Sequence, residues 1–145
     1  MFVTVSSLAN PHNLRVNIRY RDIRKLPPEV AAAMHQLTQD ADQAGKAARW
    51  NPPKNADLIV TIIFTFTSRR VDVDAAEKRA LDALAAGLNF NDNRVQELHL
   101  TKKVGLTPGV WAMVETIGDV QPDPTPEPTE GWFLVPGDPY PHEVL

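Results

Sequence analysis

Apolar residues recur along the chain with two periods, and their order predicts its architecture. The most apolar run is residues 58–66 (LIVTIIFTF), rich in β-branched and aromatic side chains and too short for a typical helix. It is predicted as a strand buried on at least one face and central in its sheet. Residues 14–20 alternate strictly: Leu14, Val16, Ile18 and Tyr20 point one way, while Arg15, Asn17, Arg19 and Arg21 point the other. Period two with one polar face predicts a half-buried strand. Residues 95–104 and 110–117 are predicted as two more strands. Gly105, Pro108 and Gly109 lie between them, and such turn residues predict an antiparallel hairpin. Residues 1–5 fit a short edge strand.

Two stretches carry the helical period instead. Pro27-Pro28 suits a first helical turn, where a missing N–H costs nothing. Val30, Met34, Leu37 and Ala41 follow on one face, and Asn51-Pro52-Pro53 stops the helix. Residues 74–84 form the second, with Ala80, Leu81 and Leu84 on one side and Gly87 where a C-terminal stop belongs. The order strand–helix–strand–helix–strand–strand predicts an α/β fold of the α+β type. It is a two-layer sandwich, a mixed β-sheet covered by two main helices.

Composition shifts near Gly118. Seven of the 13 prolines and six of the 18 acids lie in residues 119–145, which hold none of the 15 Lys and Arg residues. Pro122, Pro124, Pro126 and Pro128 alternate with Asp, Thr and Glu, which favours an extended path over any helix. Residues 1–118 are therefore read as one mildly basic domain, and 119–145 as an extended, acidic, proline-rich tail. Trp132, Phe133, Leu134 and Val135 predict that the tail's far end docks in an apolar groove. Cysteine is absent, which excludes disulfides, thiolate metal sites and cysteine nucleophiles. No membrane span or signal peptide is evident, so a cytoplasmic protein is expected.

One segment concentrates candidate chemistry. A buried strand runs into Arg69-Arg70-Val71-Asp72-Val73-Asp74, and a helix follows at once. In extended chain Asp72 and Asp74 share a face, and Lys78 rises four residues after Asp74. The loop Asn91-Asp92-Asn93 precedes the next strand. If it folds back beside the strand end, Asp72, Asp74 and Asp92 meet with Lys78. Clustered carboxylates suit a hard divalent cation, which attracts a phosphodiester and stabilises charge on phosphorus oxygens. Asp74 would serve equally well as a helix N-cap. The histidines His12, His35, His99 and His142 show no ligand spacing and are read as surface or packing residues.

The stretch 72–84 (DVDAAEKRALDAL), followed by Asn91-Asp92-Asn93-Arg94-Val95, resembles the RusA-type Holliday-junction resolvases. That family shows two acids, a lysine, a helix ending in Asp-Ala-Leu and an acidic loop before a strand. The resemblance covers residues 69–118. It implies catalytic and metal-binding carboxylates at Asp72, Asp74 and Asp92, and a catalytic lysine at Lys78. It implies Mg²⁺, with Mn²⁺ as a substitute, and a homodimer making paired nicks in four-way DNA junctions during recombination or repair. Arg69, Arg70, Arg94, Lys102 and Lys103 are the candidate phosphate contacts, which position DNA without reading its sequence. The family's Asn after the second acid is Ala75 here, and the first acid of its paired loop is Asn91. The alternative expectation is a non-catalytic DNA-binding homodimer on the same scaffold.

Overall fold

A computed structural model describes residues 1–16 and 26–118. Strand β1 (Phe2–Ser7) leads through a 3-10 turn (Pro11–Leu14) towards helix α1 (Pro28–Ala48). Strand β2 (Asp57–Phe66), helix α2 (Glu77–Leu88), a second 3-10 turn (Asp92–Arg94), strand β3 (Val95–Val104) and strand β4 (Gly109–Ile117) follow. The strands form one mixed sheet in the order β1-β4-β2-β3. Strand β2 lies parallel to β3 and antiparallel to β4, and β4 is antiparallel to β1. The predicted class, a two-layer α+β sandwich with two helices, is the one observed. Among the described residues no helix is long and apolar enough to cross a membrane.

Burial explains the layering. In β2, Leu58, Val60, Ile62, Phe64 and Phe66 are buried, while Ile59, Thr61 and Thr65 between them are half-buried. The first set shares a core with Val3 and Val5 of β1, Val110, Ala112 and Val114 of β4, and the inner faces of the helices. From α1 come Ala33, Leu37 and Ala41; from α2 come Ala80, Leu81, Ala83, Leu84 and Leu88. The opposite face of the sheet has no helix over it among the described residues. Helix α1 ends where Arg49 turns left-handed (φ 56°) and donates its N–H to Gly45 and Lys46 carbonyls, just before Asn51-Pro52-Pro53.

Four local expectations are corrected. Leu14 closes a 3-10 turn rather than opening a strand; its side chain is fully buried, which accounts for the apolar phase there. The rest of the predicted strand over 14–20 falls mainly on residues 17–25, outside the described residues, as does the tail 119–145. Strands β3 and β4 do not form a hairpin, because β2 separates them. Strand β4 is buried at alternate positions and takes the slot between two strands, whereas the polar β3 takes an edge. Gly87 lies inside α2, and Asn89 makes the left-handed stop (φ 59°). Finally, α2 begins at Glu77 rather than Asp74, with Ala76 at the N-cap and no side-chain cap.

Candidate functional site

The chain leaves β2 through a tightly tied turn. Ser68 Oγ accepts from the Arg70 N–H at 3.1 Å. The ammonium of Lys102, arriving from β3, donates to the Arg69 carbonyl at 2.8 Å and the Val71 carbonyl at 2.7 Å. The Asp72 carbonyl then accepts from Ala75 N–H (3.1 Å) and the Asp74 carbonyl from Glu77 N–H (3.2 Å). Asp72 and Asp74 thus sit in successive turns rather than extended chain, with both side chains exposed. The premise that they share one strand face does not hold.

The acids that meet Lys78 are others. Its ammonium lies 3.1 Å from Asp82 Oδ1, one turn further along α2, and 3.9 Å from Asp92 Oδ2 in the loop before β3. The Asp82 hydrogen bond and its charge raise the Lys78 pKa above its ordinary value; Asp92 and Glu77 add to this, and desolvation opposes it. Asn91 shapes the loop by accepting from Asn93 N–H at 3.1 Å. Arg94 follows, 4.0 Å from Asp57 at the start of β2. Asp82, Asp92 and Arg94 line a groove of about 610 Å³ together with Trp50, Pro53 and Lys54.

Topology explains the partial assembly. Asp72 and Asp74 follow the end of β2, whereas Asp92 precedes the start of β3. These strands are parallel, so α2 carries the chain back from the end of β2 towards the start of β3, and the ion pairs of Lys78 among the described residues are with Asp82 and Asp92. Lys78 reaches Asp92 by lying along the helix. Among the described residues no group of three or more His, Asp or Glu side chains is placed to hold a metal ion. Two carboxylates, Asp82 and Asp92, nevertheless converge on one cationic centre. Mg²⁺ is commonly held by one or two carboxylates with water and substrate oxygens; here both carboxylates are engaged by the Lys78 ammonium.

The candidate phosphate contacts divide likewise. Arg94 borders the groove. Arg69 and Arg70 are exposed in the turn after β2. Lys102 is engaged with two carbonyls. Lys103 is paired with Thr65, on the sheet face opposite the helices. Two further residues matter. Asp82 stands four residues after Lys78, a spacing that the sequence already displayed. Arg79 is 9% exposed and its guanidinium donates to the Arg15 carbonyl at 2.6 Å, a long-range tie that carries no sequence signal. No family model matches the chain, and no curated protein matches it in sequence.

Proposed function

We propose that the chain is a metal-dependent, structure-selective DNA endonuclease of the RusA type, cutting four-way junctions as a homodimer. The observation that carries this reading is the approach of Asp82 and Asp92 to a single ammonium, 3.1 and 3.9 Å away, beside a polar groove. The motif's lysine and its loop acid come together there across the helix–strand connection. Mg²⁺ or Mn²⁺, when bound, supplies charge stabilisation at the phosphorus oxygens and an activated water. Asp82 and Asp92 are the carboxylates within reach of it. Lys78, displaced from that pair, is then the cation left to face a phosphodiester, with Arg94 and Lys54 along the groove to hold flanking phosphates. Asp72 and Asp74 remain the ligands the resemblance implies.

A synthetic four-way junction tests the reading. Incubation with Mg²⁺ gives paired nicks, and EDTA abolishes them. Asp92→Asn keeps junction binding and loses cleavage by at least ~10²-fold, the scale on which removal of one preorganised charge acts. Asp82→Asn and Asp74→Asn run in parallel decide which set of acids serves. Binding without metal-dependent nicks turns the reading to the non-catalytic alternative; neither binding nor cutting overturns both.

A further inference from the structure

Large apolar side chains left in water mark an interaction surface when they gather around a pocket. The two most exposed among the described residues are Leu106, 98% exposed, and Leu8, 78%. Leu8 follows β1, and Leu106 lies in the turn between β3 and β4. Leu8, Ser6, Thr65, Thr107 and Pro108 line a pocket of about 280 Å³, and Leu106 adjoins it as the chain neighbour of Thr107. Small-molecule pockets ordinarily run to about 300–1,000 Å³; this one suits a large side chain better than a cofactor.

The pocket and the tail belong to opposite ends of one sheet face. Thr65 lies between the buried Phe64 and Phe66, so it points to the side without helices. Strand β4 runs from the pocket, at Gly109, to Ile117. There Gly118 takes a left-handed backbone (φ 92°) and ends the strand. Residues 119–145 follow. Trp132 stands fourteen residues beyond Gly118. At a polyproline rise of about 3.1 Å per residue that run reaches ~43 Å. The nine residues of β4 span only roughly 30 Å. The tail is therefore long enough to return along the whole face, over Ile117, Met113, Ile59 and the 61% exposed Phe2. The groove beside Asp92 fits less well. Its Arg94 meets Asp57, the strand partner of Ile117, so it lies where the tail begins, and an extended run carries Trp132 past it.

We propose that residues 132–135 of this chain dock in the pocket between the end of β1 and the β3–β4 turn, with the proline-rich run laid along the open face of the sheet. Trp132 and Phe133 bring the aromatic surface that Leu8 and Leu106 lack, and burying it against them drives the contact. Lys103 pairs with Thr65 and so lies on the same face beside the pocket. Glu127 and Glu130, about 28 and 37 Å along the extended path, arrive at that basic end. Glu97 and Glu115 lie towards the other end and give Asp119 and Asp123 no such attraction, so the apolar anchor carries the docking. The tether adds to it, because a segment on the same chain meets its site at high effective concentration. Neither Lys78 nor the acids of α2 take part, and the docking stands independently of the nuclease reading.

Cross-linking of the full chain tests it. The chain has no cysteine, so a pair of introduced thiols is unambiguous. Thr107→Cys with Gly131→Cys places one thiol at the pocket and one beside the anchor, leaving Leu8, Leu106 and residues 132–135 intact. Gln36→Cys with Gly131→Cys is the control, its body thiol exposed on α1 in the other layer. With a short bis-maleimide at low protein concentration, the pocket pair links within one chain at least about fivefold faster than the control, through its higher effective concentration. Adding Leu8→Asp, or Trp132→Ala, brings the pocket pair down to the control rate. Leu8 is exposed, and an unchanged far-UV circular dichroism spectrum shows that the Leu8→Asp body is folded. Equal rates for the two pairs, links formed only between copies, or a pocket pair indifferent to both Leu8→Asp and Trp132→Ala overturns the assignment.

Discussion

Replacing Gly87 with alanine ought to stabilise a helix interior, by about 1 kcal/mol of propensity. The packing of α2 on α1 predicts the reverse. A Cβ at Gly87 would stand 2.5 Å from the Thr38 carbonyl oxygen, 2.6 Å from Ala41 Cβ and 3.1 Å from Asp42 N. Two of these atoms are backbone of α1, so no rotamer change relieves the overlap and the helices must part. Over-packing costs about 1–3 kcal/mol, and contact with rigid backbone puts this site at the top of that range. After the propensity gain, Gly87→Ala should lose about 2 kcal/mol, a fall in Tm of roughly 8 °C for a domain of this size. Gly45→Ala is the control: its Cβ would meet the Leu88 Cδ2 methyl at 2.9 Å, the far end of a flexible side chain, and Trp50 Cβ at 3.8 Å. That variant should stay within about 1 kcal/mol of wild type, propensity offsetting a small repacking cost. Urea titrations followed by far-UV circular dichroism give both midpoints, with unchanged slopes marking a change in stability alone. A Gly87→Ala protein as stable as Gly45→Ala would refute the close approach of the helices.

Other expectations follow from single contacts. Lys102→Met keeps the stem and removes two charge-assisted hydrogen bonds to the Arg69 and Val71 carbonyls; a loss of about 1–2 kcal/mol and faster amide exchange around residues 69–75 should result. Lys78→Ala, which breaks an exposed pair, should cost only ~0.3–0.5 kcal/mol in the same titration, so any collapse of junction cleavage in that variant reports on function. Stability should fall as pH drops below the ordinary histidine value of 6.5, because burial and then the Arg15 charge lower the His12 pKa. The unfolded chain takes up that proton first, so the contribution is complete above 6.5 and lost on acidification towards the lowered folded value. His12 Nε2 also accepts from Thr67 N–H at 3.1 Å while its ring stands edge-on to Phe66, and protonation removes that acceptor. Urea midpoints against pH should lose this slope in His12→Gln. Glu115, raised by desolvation, acts in the opposite sense but only near the carboxylate range.

Much of the architecture was legible along the chain. The run at 58–66 had to be a central strand, because nine residues of Leu, Ile, Val, Thr and Phe satisfy neither solvent nor the helical period. Helix α1 was bracketed by Pro27-Pro28 and Asn51-Pro52-Pro53, whose rings set its limits chemically. The lysine and the loop acid were singled out as well, whereas Asp82, one helical turn beyond Lys78, was passed over although its spacing was there to read. What escaped was every decision taken between distant segments. That β4 inserts between β1 and β2 depends on which strand buries its alternate residues best, a competition among partners rather than a property of either strand. The meaning of Gly87 depends on α1 lying within contact distance; alone it reads as a helix stop. Which acids Lys78 meets was likewise settled between segments: its ammonium pairs with Asp82 along α2 and with Asp92 in the loop before β3, while Asp72 and Asp74 sit in turns before the helix. Local pattern specifies which face of an element is apolar. Only packing, through the lengths and directions of the connections, decides which faces meet and which charged groups are carried to the same place.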